Sequence, residues 1–286
     1  MIRKVQRMSI IRVKDHEIYY EESGKGIPIL FLEGLGYSVW MWRKQLQEIS
    51  SWAHCILVDN RGVGKSSPLT SPYSVREFAE DAMEVMDHLG IDRFFVLGVS
   101  MGGFIAQEIA IMAENRVKGT ILISTSCGGG NSLPMPKSTW DEMEKTIPGE
   151  SVREKLIRTM KIAMTDKFPR ERRLEFESII GERLDYLQDQ TQMVYQALAT
   201  KDYDACDANK KINTPSLIVC GTEDRVLPWT NSLIIFKSLR NSSLLVFKNQ
   251  NHLLFIEEAP RVNDEIRNFV RLVEEYSYIP YVREVN

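Results

Sequence analysis

Long apolar runs are missing from this chain of 286 residues. No stretch approaches the roughly 18 consecutive apolar positions needed to cross a bilayer. The first fifteen residues interleave charges with short apolar runs, where a secretory leader needs roughly 7 to 15 apolar residues in a row. Cysteine is scarce too. Cys55, Cys127, Cys206 and Cys220 form no CxxC pair and no Cys/His cluster of zinc spacing, so they read as free, mostly buried thiols. A reducing compartment, the cytoplasm, is the expectation. Nor is there a positive excess: 36 Lys and Arg face 39 Asp and Glu, which leaves no footprint for nucleic acid or an anionic membrane. With 17 Gly and 11 Pro the chain is not of low complexity, and at 43% hydrophobic it has ample material for a core. The length suits one large α/β domain or two small ones.

Short strand-like runs alternate with helix-like ones for most of the length, the pattern of parallel βαβ units in a sheet covered on both faces. Ser9–Lys14 and Glu17–Glu22 differ: they alternate with period 2 about a tight connection at Asp15-His16, which predicts an antiparallel hairpin at a sheet edge. Buried strands are expected at 27–32, 55–58, 94–97, 119–123, 216–220 and 244–247. Between them, Val75, Phe78, Ala82, Val85, Met86 and Leu89 recur at helical spacing and stop at Gly90, a glycine C-cap. From Leu133 to Asp207 no strand is legible, only helical stretches broken by Pro134, Pro136, Pro148, Pro169 and Gly181. Acidic and basic residues are nearly balanced there, as on solvated helix faces. This segment reads as a helical insertion.

The chemistry is concentrated where Phe94-Phe95-Val96-Leu97 runs into Gly98-Val99-Ser100-Met101-Gly102-Gly103 and on into a helical stretch. Strand, G-x-S-x-G, helix is the context of a nucleophile elbow, in which a turn too tight for flanking side chains projects the serine. A serine hydroxyl needs a base, and the base needs an acid behind it. His16, His54 and His88 precede Ser100; in the order serine, acid, histidine only His252 qualifies. The acid sits in Gly221-Thr222-Glu223-Asp224 after a strand, with Asp224 favoured and Glu223 its rival. Trp40 and Trp42 read as core. Gly64-Lys65-Ser66 imitates the end of a phosphate-binding loop, but that motif requires glycine where Asp59 stands, and the run Gly128–Gly130 lacks a dinucleotide pattern.

In these features the sequence resembles the α/β-hydrolase superfamily in its single-chain, lid-bearing form. The likeness runs from about Ser9 to Tyr276. Four landmarks match in order: Leu32-Glu33-Gly34-Leu35-Gly36, Asp59-Asn60-Arg61-Gly62-Val63-Gly64-Lys65-Ser66, the elbow, and Gly221–Asp224 with a later His252. The resemblance implies an α/β fold: a mostly parallel eight-stranded sheet, helices on both faces, and a helical lid after strand six. The core would be 1–130 and 208–286, and the lid 131–207. It implies backbone N–H groups of Leu35 and Met101 as oxyanion donors, and no metal or cofactor. The candidate lid residues lining a substrate pocket are Trp140, Met164, Phe168, Tyr186, Met193 and Tyr195.

The expected activity is serine-dependent hydrolysis of a small or medium carboxylic ester or lactone through an acyl-enzyme, the partner being a small acyl substrate. The same triad could serve C–C bond hydrolysis of a β-diketone, thioester cleavage, acyl transfer or perhydrolysis. A lid-gated receptor with little turnover is the reading from another class. Two residues depart from the family pattern: Glu33 stands where His is usual, and Val99 precedes the nucleophile where His is common. A free carboxylate beside an oxyanion loop would oppose catalysis. Pairing with Arg61 is the expected remedy; the others are burial in the protonated form, or a cationic substrate group, or a side chain that points into water. Oligomeric state is not legible, nor is whether the tail Tyr276–Asn286 packs on its own domain or on a partner.

Overall fold

The computed structural model describes residues 7–276 and 278–286. Strands β1 (Arg7–Val13) and β2 (His16–Gly24) form the expected antiparallel edge hairpin. Its turn lies one residue earlier than expected, at Lys14-Asp15, with Lys14 at φ 54°. There follow β3 (Ile27–Leu32), β4 (Ala53–Val58), β5 (Phe94–Val99), β6 (Val117–Ile123), β7 (Ser216–Gly221), β8 (Ser242–Phe247) and β9 (Val282–Val285). They make one sheet in the order β1-β2-β4-β3-β5-β6-β7-β8-β9, antiparallel at the first two pairings and parallel at the rest.

Among the described residues nine strands replace the expected eight. The addition, β9, runs parallel to β8 at the sheet edge, so the tail packs on its own domain. Its four residues, Val-Arg-Glu-Val, show neither period-2 alternation nor an apolar run, and three are exposed. Tertiary anchors hold it: Tyr278 Oη lies 2.6 Å from Ser243 Oγ and donates to Ser216 O, while Tyr281 N–H donates to Ser243 Oγ.

Alternation along the central strands divides the core into two layers. Phe31, Leu57, Phe95, Leu97, Ile121, Leu217 and Leu245 face one side. There α1 (Arg43–Ile49) and the later helices α11 (Leu254–Glu257) and α12 (Ala259–Glu275) cover them, α12 with Val262, Ile266, Phe269 and Val270 at helical spacing. Leu30, Ile56, Val96, Leu122, Ile218 and Val246 face the other side, against α2 (Val75–His88), α3 (Met101–Met112) and α10 (Thr230–Ser238). Helix α2 starts at a capping box between Ser74 and Glu77, and Gly90 follows it at φ 65°. Trp40 and Trp42, in a 3₁₀ turn at Val39–Trp42, are buried in the first layer.

Between β6 and β7 the chain is helical: α4 (Lys137–Glu144), α5 (Val152–Ala163), α6 (Phe168–Glu171), α7 (Arg173–Asp185), α8 (Gln190–Lys201) and α9 (Cys206–Asn209). Pro134, Pro136 and Pro148 fall outside the helices and Pro169 in the first turn of α6, but Gly181 lies within α7 and does not break it, a correction to its reading as a helix breaker. One expectation is overturned at its root: Cys127 and Cys206 form a disulfide, and only Cys55 and Cys220 are free, both buried. Spacing of 79 residues carries no signal of pairing; the fold brings the two Cα atoms to 5.1 Å.

Candidate active site

Ser100 stands between β5 and α3 with φ 53° and ψ −119°, outside the regions an L-residue ordinarily occupies. Tertiary contacts hold it there. Its N–H donates to Ile123 O at 3.0 Å, and its carbonyl accepts from Gly103 N–H and Thr125 Oγ1. The glycines are required by approach: a Cβ on Gly98 would sit 2.1 Å from Gly102 O, and one on Gly102 would sit 2.1 Å from Leu32 O. Every residue of β5 is buried, whereas Ser100 is partly exposed.

His252 and Asp224 arrive on the loops after β8 and β7. Nδ1 of the imidazole lies 2.8 Å from Asp224 Oδ2, with 7% and 1% of the two side chains exposed. Asp224 is pinned from its other oxygen, Oδ1, by the N–H groups of Val226 and Leu227, each at 2.9 Å. That arrangement sets the tautomer with the proton on Nδ1 and leaves Nε2 to accept one. Glu223, the rival acid, is exposed. Asn251 ties this corner to the lid: Oδ1 accepts from the N–H groups of His252 and Arg225, and Nδ2 donates to Ile162 O and Met164 O.

Opposite lies the turn after β3. Tyr37 N–H donates to Gly34 O at 3.1 Å and Gly36 has φ 73°, the geometry of a type II turn with glycine at its third position. It abuts the elbow, since a Cβ on Gly34 would be 3.4 Å from Ser100 Cβ. Among the described residues the N–H groups of Leu35 and Met101 donate to no protein acceptor, and Met101 opens α3, where the helix dipole is positive.

Glu33 is fully buried, which overturns its exposure to water, and Arg61 bonds other groups, which overturns their pairing. Asn60 N–H donates to its Oε1 at 2.6 Å, and Oε2 has no partner among the described residues. Burial first, then the Asp59 charge, push its carboxyl well above the usual range, against the Asn60 N–H that favours the charged form. Burial raises Asp59 as well, against the N–H groups of Val39 and Lys65 that donate to it. The loop Asn60–Ser66 wraps around Asp59; a Cβ on Gly64 would collide with that carboxylate at 1.9 Å. Arg61 turns to another cluster, donating to Tyr73 Oη and Pro68 O and reaching His16 Nδ1 at 3.4 Å. Sequence spacing could not show this, because Arg61 lies after β4 and its direction depends on where α2 and the hairpin sit.

The six lid candidates scatter. Met164 and Phe168 are buried in the first core layer, and Phe168 lies under Lys44 and Arg172. Tyr195 packs on the second layer. Trp140, at 55%, and Tyr186 are exposed. Met193 comes to the Gly34–Tyr37 turn, its Cε 3.4 Å from a Cβ on Gly36. Sequence reasoning missed three residues beside it: Tyr37; Arg183, whose guanidinium lies 3.8 Å over the Tyr37 ring; and Gln196. For Gln196 a signal existed, the four-residue spacing of Gln188, Gln192 and Gln196.

The chain belongs to the alpha/beta hydrolase fold family, whose profile matches residues 27–259. It is 27% identical over 268 residues to the AB hydrolase superfamily protein YisY of Bacillus subtilis, covering 91% of this chain and 97% of that one. It is 26% identical over 277 residues to a 2-hydroxy-6-oxononadienedioate/2-hydroxy-6-oxononatrienedioate hydrolase of Dechloromonas aromatica, covering 91% and 94%. The esterase EaEST of Exiguobacterium antarcticum superposes with a TM-score of 0.79 at 25% identity, covering 92% of this chain and 99% of the esterase. No helix among the described residues is long and apolar enough to cross a membrane.

Proposed function

We propose that this protein is a serine hydrolase that cleaves a small or medium carboxylic ester or lactone without a cofactor. The observation that carries the reading is the His252–Asp224 contact, which orients an imidazole with a free Nε2 in the same fold as a strained, partly exposed serine. His252 takes the Ser100 proton as Oγ attacks the acyl carbon. The N–H groups of Leu35 and Met101 stabilise the oxyanion, and Asp224 stabilises the imidazolium. Returning the proton expels the alcohol; water then repeats the sequence on the acyl-enzyme. Burial and the Asp59 charge disfavour a carboxylate at Glu33, next to this turn, which supports its use for an oxyanion.

The experiment is turnover of p-nitrophenyl acetate by wild type and Ser100→Ala. Many cycles per wild-type molecule and a loss of more than about a hundredfold in the variant are expected, since triad knockouts typically cost about 10⁴-fold. Retention of a tenth of the activity would remove the serine from the mechanism, and a wild type that stalls near one equivalent would favour a receptor. C–C bond hydrolysis is the second reading, favoured by Arg183: among the described residues its Nη1 has no acceptor although buried, beside the oxyanion turn. Such a group suits a substrate with a carboxylate, as the name of the Dechloromonas aromatica relative implies for its own substrate.

A further inference from the structure

Helix α8 of the lid presents an amide on each successive turn toward the core. Gln188, just before it, donates from Nε2 to Gly62 O at 3.0 Å. Gln192 pairs with both polar groups of one residue, accepting from Leu69 N–H at 2.6 Å and donating to Leu69 O at 3.0 Å. Gln196, fully buried, bridges two loops: Oε1 accepts from Gly36 N–H at 3.2 Å and Nε2 donates to Arg61 O at 2.8 Å. Residues four apart lie on one helix face, so the three amides form one seam.

Of the three, Gln196 alone binds the backbone of the turn that carries Leu35. The outer hydrogen bond from Tyr37 N–H to Gly34 O closes the turn on itself but ties it to no other element, so the turn is placed as a body by what holds its exposed groups. One such group is the Gly36 N–H, adjacent in the chain to Leu35, and Gln196 accepts from it. The second amide bond, to Arg61 O, anchors Gln196 to the loop after β4 and stops the side chain from following the turn.

We infer that Gln196 is a positioning residue: a lid side chain that ties Gly36, the third residue of the turn, to the loop after β4, and so fixes where the whole turn, with its Leu35 N–H, sits against the elbow. The lid therefore takes part in assembling the oxyanion hole as well as in covering the site. The inference rests on the serine-hydrolase reading. Its mark is a loss in kcat with little change in KM, because an oxyanion donor acts on charge that develops after binding.

The test compares Gln196→Leu with Gln192→Leu in the full-length protein, using p-nitrophenyl acetate, kcat and KM resolved separately, thermal melts, and Ser100→Ala in parallel. Each substitution removes two lid-to-core hydrogen bonds, but only one touches the oxyanion turn. Gln196→Leu should lose about ten- to hundredfold in kcat, short of or at the low end of the loss from deleting a donor, with KM within about threefold. Gln192→Leu should melt earlier by a similar margin and keep kcat within about threefold. Should Gln196→Leu not fold, Gln196→Glu decides: its carboxyl accepts from Gly36 at any pH but donates to Arg61 O only when protonated. Its kcat relative to wild type should fall as pH rises; a ratio that stays flat near one overturns the proposal. Equal kcat losses in the two leucine variants, or none in Gln196→Leu, overturn it as well, while Ser100→Ala remains inactive. Full activity in Ser100→Ala instead brings down the serine reading, and this inference with it.

Discussion

Cys127 and Cys206 are bonded to each other at the root of the helical insertion, 79 residues apart in the chain and 5.1 Å apart at Cα. The bond closes a loop that contains nearly the whole insertion. Close to it, Gly128 and Asp204 form an isolated antiparallel bridge, and Ala205 N–H donates to Cys127 O at 2.8 Å. Closing a loop of that length restricts the unfolded chain by on the order of 4 kcal/mol. The Cys127→Ser, Cys206→Ser double variant should therefore melt several degrees lower than wild type in the absence of reductant. Under reductant the difference should vanish. Equal melting temperatures in both conditions would show that the cross-link contributes nothing to stability.

The acid can be assigned by mutation. Asp224 faces His252 with both of its oxygens engaged, whereas Glu223 is exposed. Asp224→Asn should lower kcat by about 10³- to 10⁴-fold through loss of the imidazolium partner and the tautomer. Glu223→Gln should change it by less than about threefold. The reverse ranking in steady-state kinetics would transfer the role to Glu223.

Glu33 predicts a pH dependence of stability. Its folded-state pKa lies above the ordinary value of 4.5, raised by burial and by Asp59. The folded protein then binds more protons than the unfolded chain between those two values. Stability is accordingly full below the ordinary value and declines as pH rises through the folded-state one. Gln in place of Glu keeps an acceptor for Asn60 N–H and cannot ionise. Glu33→Gln should thus lose less melting temperature than wild type as pH rises above the ordinary carboxylate value of 4.5. Parallel pH profiles would mean that Glu33 does not carry this proton.

Arg183 supplies a test of substrate class. A charged hydrogen bond to a substrate carboxylate contributes about 1.5–3 kcal/mol, or roughly ten- to 150-fold. Arg183→Met should lower kcat/KM for an ester with a free carboxylate on its acyl chain by that factor, and leave p-nitrophenyl acetate within about threefold. Equal losses on the two esters would make Arg183 a support of the lid through Tyr37 rather than a reader of charge.

The hydrophobic period and the glycine positions of this sequence determined the first eight strands, the helices on the sheet's faces, the elbow at Ser100 and the presence of a helical insertion after β6, because each depends on neighbours within a few positions. Alternation places Phe95 and Leu97 on one face and Phe94 and Val96 on the other, whatever the rest of the chain does. Only the tertiary structure decided the partners of groups far apart in sequence. Cys127 found Cys206, Arg61 turned from Glu33 to Tyr73, β9 joined the edge through Tyr278 and Tyr281, and Gln196 met Gly36 across 160 residues. The physical reason is that such contacts depend on how the lid helices and loops dock, and docking is set by the summed packing of two core layers rather than by any local pattern.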